Sequence, residues 1–366
     1  MGLELADIFR LYGPAYRQKY ADQILPSHRK AMRAIEQCRT ETLGGQVYAC
    51  PGCGEVQYSY HSCRNRHCPK CQNDKAQEWL GAQRDLLLPV PYFMLTFTLP
   101  AALNEIVRSN QSLLYNLFFR VSAAATQHLA QDLRFVGGQI GLVGILHTWG
   151  RNLAYHPHIH YLIPAGGWTA NTQSWLPAHQ DFLLPVKALS RIFRGKLRQA
   201  LVKTSLFARI PSKVWQQDWV VHCKPVGNGR TALKYLAPYV FRVAISNRRL
   251  VKLENEQVTF RYRATDTGEP KLCTLSAEEF IHRFLQHVLP KGFVKVRYFG
   301  FFAPGCRKRL AVLYQQLEQE YPENIAGSET TPEPAEVTLE PKLCCPGCGQ
   351  PLIFQRTIQP TGRCPP

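Results

Sequence analysis

His156-Pro157-His158-Ile159-His160 is the stretch on which the reading of this chain turns. On an extended strand, residues two apart point to the same face. His158 and His160 therefore project side by side, while Ile159 turns into the core. Two imidazoles on one strand face form half of a site for a divalent ion. Upstream, Gly141-Leu142-Val143-Gly144-Ile145-Leu146-His147 reads as a strand ending at a third histidine, and Gly150-Arg151-Asn152 turns the chain back. Antiparallel pairing across that turn sets His147 opposite the pair. Three imidazoles then leave open positions for substrate oxygens, as a catalytic metal requires. Downstream stands Tyr235-Leu236-Ala237-Pro238-Tyr239. Two tyrosines four apart share one helix face, and phenols beside a metal are activated nucleophiles. Pro238 complicates this, because proline inside a helix removes a hydrogen bond and clashes with the preceding turn. The helix kinks there or restarts, and the two hydroxyls need not be equivalent. Each pair alone is commonly mere packing; it is the third histidine that favours a site.

The cysteines point to metal by their spacing. Cys50-Pro51-Gly52-Cys53 and Cys68-Pro69-Lys70-Cys71 are two knuckles separated by fourteen residues. Four thiolates complete a tetrahedral zinc shell, so Cys50, Cys53, Cys68 and Cys71 are expected to share one structural Zn²⁺. His28, Cys38, Cys63 and His67 are left over nearby. They form a second Cys2His2 site, or are buried thiols with surface histidines; Cys63 and His67 could also exchange with the knuckle cysteines. A third knuckle, Cys345-Pro346-Gly347-Cys348, lies near the end, with Cys344 or Cys364 as a further ligand of a small site. Thirteen cysteines without a secretory signal suit a reducing compartment and metal rather than disulfides.

Three segments, in order, resemble the HUH endonucleases, and most closely the rolling-circle transposases of the IS91 type. Cys63-Arg64-Asn65-Arg66-His67-Cys68-Pro69-Lys70-Cys71-Gln72 resembles that family's zinc-binding region. His147-Thr148-Trp149-Gly150, running on to His160, resembles its metal-site segment. Tyr235 to Tyr239, continuing to Arg242-Val243-Ala244-Ile245-Ser246-Asn247-Arg248-Arg249, resembles its catalytic tyrosine helix. The resemblance implies an α+β fold: an HUH-type endonuclease core with a mainly antiparallel central sheet flanked by helices, preceded by a small zinc-binding domain. It implies a transposase that nicks and rejoins DNA through a 5′-phosphotyrosine, with Tyr235 attacking first and Tyr239 second. The metal on His147, His158 and His160 would be Mg²⁺ or Mn²⁺. The DNA would be single-stranded, or the hairpin ends of a mobile element, and no nucleotide cofactor is needed. A plasmid relaxase or replication initiator would share this chemistry. A non-catalytic zinc-dependent DNA-binding protein would not.

Charge agrees with a polyanionic partner. The chain of 366 residues carries a formal net charge of +18. Only three basic residues follow Leu317, and seven acidic ones lie between Glu318 and Glu340, so the first 317 residues hold a net +22. Arg64, Arg66 and Lys70 among the zinc ligands, and Lys234, Arg242, Arg248 and Arg249 around the tyrosines, are the expected DNA contacts. A further helix, striped by Leu189, Phe193, Leu197 and Leu201, carries Arg191, Arg194, Lys196 and Arg198 on its other face, for DNA or for solvent. No run of residues is apolar enough to span a bilayer, and the N-terminus lacks a secretory pattern. The expected location is the bacterial cytoplasm, at the nucleoid through DNA. The expected organisation is a zinc-binding domain over 1–75, a connecting helix over 76–90 and a catalytic domain over 91–317. An acidic disordered linker over 318–341 and a C-terminal CxxC segment over 342–366 complete it. Among the elements, Tyr92 to Leu99 is the clearest strand, and a single long helix is expected from Asn104 to Gln131.

Overall fold

The apolar run bounded by Pro91 and Pro100 becomes the middle of a sheet, and the rest of the fold is arranged about it. The computed structural model describes residues 2–71, 86–169, 171–179, 181–228, 231, 243–264, 267–321 and 343–361. Tyr235, Tyr239, Lys234, Arg242 and Cys364 lie outside the described residues, as do most of the expected connecting helix and linker.

Two helices come first, α1 (Leu5–Lys19) and α2 (Pro26–Gln37), then a hairpin of β1 (Gly45–Ala49) and β2 (Val56–Tyr60). β3 (Pro91–Thr98) is followed by α3 (Asn104–Ser109) and α4 (Gln111–Ala130). Next are β4 (Leu142–Trp149), β5 (Tyr155–Pro164), a small hairpin of β6 (Gly166–Thr169) and β7 (Ser174–Pro177), α5 (Val186–Val202) and β8 (Val221–Asn228). Then come β9 (Leu250–Glu254), β10 (Gln257–Arg263), β11 (Pro270–Ser276) and α6 (Ala277–Leu285). β12 (Val296–Phe299), α7 (Arg307–Glu320) and β13 (Ile353–Ile358) complete the order. The fold is α+β, and every strand pairing among the described residues is antiparallel.

The described residues divide into two compact units. One takes the described parts of 76–242 and 289–329, and is built on a five-stranded sheet of order β12-β4-β5-β3-β8. Strand alternation gives this sheet two apolar faces. Phe97, Ile159 and Tyr161 look toward α4 and α5, where Phe193 meets Phe97 edge-on at 4.9 Å and stacks on Phe118 at 5.6 Å. Met94, Val143, Ile145 and Leu162 look the other way, toward Leu310, Leu313 and Leu317 of α7. Those three leucines are buried at helical spacing, so the helix runs on to Glu320 and the first residues of the expected linker are ordered within it. The long helix expected from Asn104 is broken at Asn110, whose φ of −133° is not helical.

The other unit takes the described parts of 1–75, 243–288 and 330–366. The expected uninterrupted catalytic stretch over 91–317 is thus divided, because 243–288 packs with the N-terminal helices. Phe9 of α1 meets Phe284 of α6 edge-on at 5.4 Å, and the Tyr16 hydroxyl lies 3.3 Å from His282 Nδ1. α6 is started by Ser276, whose hydroxyl accepts from the Glu279 backbone N–H at 3.2 Å. Two three-stranded sheets complete this unit, β13-β1-β2 and β11-β10-β9. Among the described residues, no helix is long and apolar enough to cross a membrane.

Candidate functional site

The register of β4 against β5 places His147 directly opposite His158, and His160 lies two residues along the same face. Ring centroids are 5.4 Å apart for His147 and His158, 5.1 Å for His147 and His160, and 4.8 Å for His158 and His160. One ring nitrogen from each lies within 4.8 Å of the others. His147 is buried; His158 and His160 are half-buried and open to a substrate. Ring orientation is fixed from behind. His158 Nδ1 lies 2.7 Å from the His156 carbonyl, which can only accept, so Nδ1 carries the proton and Nε2 the lone pair. His160 Nδ1 lies 2.9 Å from Thr96 Oγ1 on β3, its partner in the pairing of these strands. Such a hydrogen bond behind the ring is how metal-ligating imidazoles are held and tuned. Trp149 stacks on His147 at 4.8 Å, and Lys295 Nζ sits 5.1 Å from the Trp149 ring. Three imidazoles converging from two paired strands fit a divalent ion. His156 is not in the cluster and is exposed. His222 on β8 stands across from Thr96 and is exposed.

The cysteines group differently from the expected knuckle pair. Cys38, Cys63, Cys68 and Cys71 converge in one cluster, and Cys50, Cys53, Cys345 and Cys348 in another. Cys50 and Cys53 sit on the turn joining β1 to β2, which carries them away from Cys68 and Cys71. The Cys68 knuckle instead meets the residue that ends α2, Cys38, with Sγ atoms of Cys38 and Cys71 3.5 Å apart and those of Cys63 and Cys71 3.6 Å apart. Thiolates around one zinc, at about 2.3 Å from it, stand roughly 3.8 Å from one another. Hydrogen bonding to Cys38, Cys63 and Cys71 pushes the Cys68 thiol up, while contacts within the same cluster hold Cys71 down. Four convergent thiols at this spacing fit a tetrahedral ion. The expected Cys2His2 site is therefore replaced by four cysteines. His67 is outside the cluster, its backbone N–H donating to Asn65 Oδ1 at 2.9 Å. His28 lies near His282 instead, and burial lowers its pKa to about 4. Cys345 and Cys348 took part in no expected pairing with Cys50 and Cys53. The signal was present in the sequence: Cys-Pro-Gly-Cys-Gly occurs at 50–54 and again at 345–349.

The expected DNA-contacting cations fall into two groups. Arg64 and Arg248 are exposed. Lys70 is held by Glu4 at 2.5 Å, and burial lowers the pKa of Arg66. Arg249 lies over the Phe260 ring and donates to the Arg261 carbonyl at 2.8 Å, so it braces β10. On α5, Arg194 donates to the Gln217 carbonyl and Arg198 lies over Phe207. These serve packing as well as charge.

Residues 141–310 match the family described as "Putative transposase", and residues 8–99 match the "Transposase zinc-binding domain". The chain is 40% identical over 373 residues to "Putative transposase y4qJ" of Sinorhizobium fredii (strain NBRC 101917 / NGR234), covering 95% of this chain and 94% of that protein. It is 30% identical over 340 residues to the "Transposase for insertion sequence element IS801" of Pseudomonas savastanoi pv. phaseolicola, covering 88% and 82%. No solved structure matches the chain. A zinc-binding module and a sheet bearing clustered histidines, with these matches, define a transposase, an enzyme whose partner is DNA. The chain belongs to the IS91-type transposase family.

Proposed function

We propose that this transposase nicks and rejoins single-stranded DNA through a 5′-phosphotyrosine intermediate, as rolling-circle transposition requires. The observation that carries this reading is the convergence of His147, His158 and His160 on one sheet face, where His158 and His160 are only half-buried. A divalent ion, Mg²⁺ or Mn²⁺, would be held by their ring nitrogens and, when bound, would draw charge from a non-bridging oxygen of the scissile phosphate. Thr96 and the His156 carbonyl keep two of the imidazoles in the orientation that presents Nε2. Tyr235 is the first nucleophile in this reading. Its phenol, ordinarily near pKa 10, gives up its proton as the oxygen–phosphorus bond forms. The bond from phosphorus to the 3′ oxygen breaks, and the 3′-hydroxyl leaves with a proton. The ester keeps the energy of the broken linkage, so rejoining by Tyr239 or by the free hydroxyl needs no nucleotide. β8, which pairs with β3 in the histidine sheet, ends at Asn228, and the chain reaches the tyrosine segment soon after. Of the cations expected to meet phosphates, Arg64 and Arg248 are exposed. The hairpin ends of the element are the substrate most in keeping with this chemistry.

The test is the metal dependence of a denaturant-resistant protein–DNA adduct, formed with labelled single strands from the ends of the chain's own locus. Adduct that disappears on chelation, and in His158→Ala with binding retained, is expected. Equal adduct in His158→Ala would remove the three-histidine site from the chemistry.

A further inference from the structure

We propose that a second zinc ion, held by Cys50, Cys53, Cys345 and Cys348, fastens the C-terminal segment to the N-terminal module. All four Sγ atoms lie within 4.8 Å of one another. Cys50 and Cys348 are 3.3 Å apart, and Cys53 and Cys345 are 3.5 Å apart. These are close to the edge of a zinc–thiolate tetrahedron, about 3.8 Å, and far beyond a disulfide bond of about 2.05 Å. The family matches span 8–99 and 141–310, so neither includes Cys345 or Cys348.

The two halves of this site are built alike. Each is Cys-Pro-Gly-Cys-Gly. In each the closing glycine donates to the first cysteine's carbonyl, Gly54 to Cys50 at 2.9 Å and Gly349 to Cys345 at 2.8 Å. Both glycines have φ of +75°, the left-handed region that glycine enters without strain. In each the first cysteine's N–H donates across the turn, Cys50 to the Glu55 carbonyl at 2.9 Å and Cys345 to the Gln350 carbonyl at 2.8 Å. The Gln350 side chain of the second turn lies over Gly52 of the first.

Among the described residues, the strand beyond the second knuckle is held by pairing with β1 and by little apolar burial. β13 adds to β1 as an edge strand, from Gly45 opposite Ile358 to Ala49 opposite Ile353. Tyr48 meets Phe354 edge-on at 5.9 Å, yet Ile353 and Phe354 remain 52% and 50% exposed. Little apolar surface is buried by this strand, and so small a sheet is marginal without a core. A structural zinc contributes its binding free energy directly to folding. Each thiol gives up its proton to the solvent as its sulfur bonds the ion, so the clasp closes with metal and opens without it.

The test counts zinc in the full-length protein by native mass spectrometry. Two ions per chain are expected, one in the Cys345→Ser/Cys348→Ser variant, and two in Cys344→Ser. A second readout does not depend on how the variant folds. A protease site placed within residues 322–342 of the full chain is cleaved after purification. The C-terminal fragment is expected to co-elute with the body, and to leave when a chelator strips zinc. One ion in the unaltered chain, a count unchanged by Cys345→Ser/Cys348→Ser, or a fragment that leaves with two ions still bound or stays after both are stripped, would overturn the proposal.

Discussion

Thr96 is the residue whose role is easiest to isolate, because it touches His160 and leaves the three imidazoles themselves unaltered. Thr96→Val keeps its shape and removes the hydroxyl. The expected result is a roughly 10- to 100-fold loss of metal affinity or activity, as for other residues behind metal ligands, read from the metal dependence of adduct formation. Nothing in the sequence marked Thr96, since only the strand register brings it to His160. His28 offers a pH test in the other unit. Burial, with a smaller contribution from His282, lowers its pKa from 6.5 to about 4 in the fold. The unfolded chain takes up that proton near pH 6.5, the folded chain only near pH 4. The stability tied to neutral His28 is therefore complete above about 6.5, is lost as pH falls toward about 4, and changes no further below. His28→Gln is expected to flatten this slope in denaturant unfolding between those limits, leaving whatever slope the cysteine clusters add. An unaltered slope would mean that His28 titrates normally.

At the scale of elements, the β4–β5 pair was legible because its pattern is short-range. The expected strand, turn and return strand brought His147 opposite His158, and the pairing is so observed. The long helix was misread because Asn110 breaks a run whose apolar spacing continues across it. The zinc ligands were misread because spacing pairs neighbours in sequence, whereas the hairpin of β1 and β2 separates Cys50 from Cys68 and β13 returns a knuckle from the far end. Close packing on the histidine sheet gives a further prediction. Gly144 lies against Tyr161 and Phe119, and an added Cβ would stand 2.5 Å from Tyr161 Cε1. Tyr161 cannot easily yield, since it is fully buried and its hydroxyl is 2.8 Å from Ser122 Oγ. Gly144→Ala is expected to destabilise the unit by about 1–3 kcal/mol, seen as a lower denaturation midpoint. An unchanged midpoint would mean that the sheet and α4 pack loosely enough to absorb a methyl group.

Across the whole molecule, charge carries the most general prediction. With a net +22 before residue 318, DNA binding should weaken steeply as salt rises, each phosphate contact to a single strand contributing about 0.7 to the logarithmic slope. A titration of affinity against salt measures it, and a flat response would deny the basic surface a part in binding. The order of domains along the chain was only partly legible. Composition marks a cysteine-rich beginning and an acidic stretch near the end, but no local pattern says that 243–288 returns to the N-terminal helices. That return depends on contacts such as Phe9 with Phe284, between residues far apart in sequence. In the proposed chemistry a tyrosine of this chain becomes covalently joined to DNA. This is tested most directly by digesting the adduct and sequencing the DNA-linked peptide by mass spectrometry. A peptide carrying a 5′-phosphate ester on Tyr235 is the predicted result. A link to a residue other than Tyr235 or Tyr239, a 3′ linkage, or DNA binding with no covalent product under any divalent metal would contradict it.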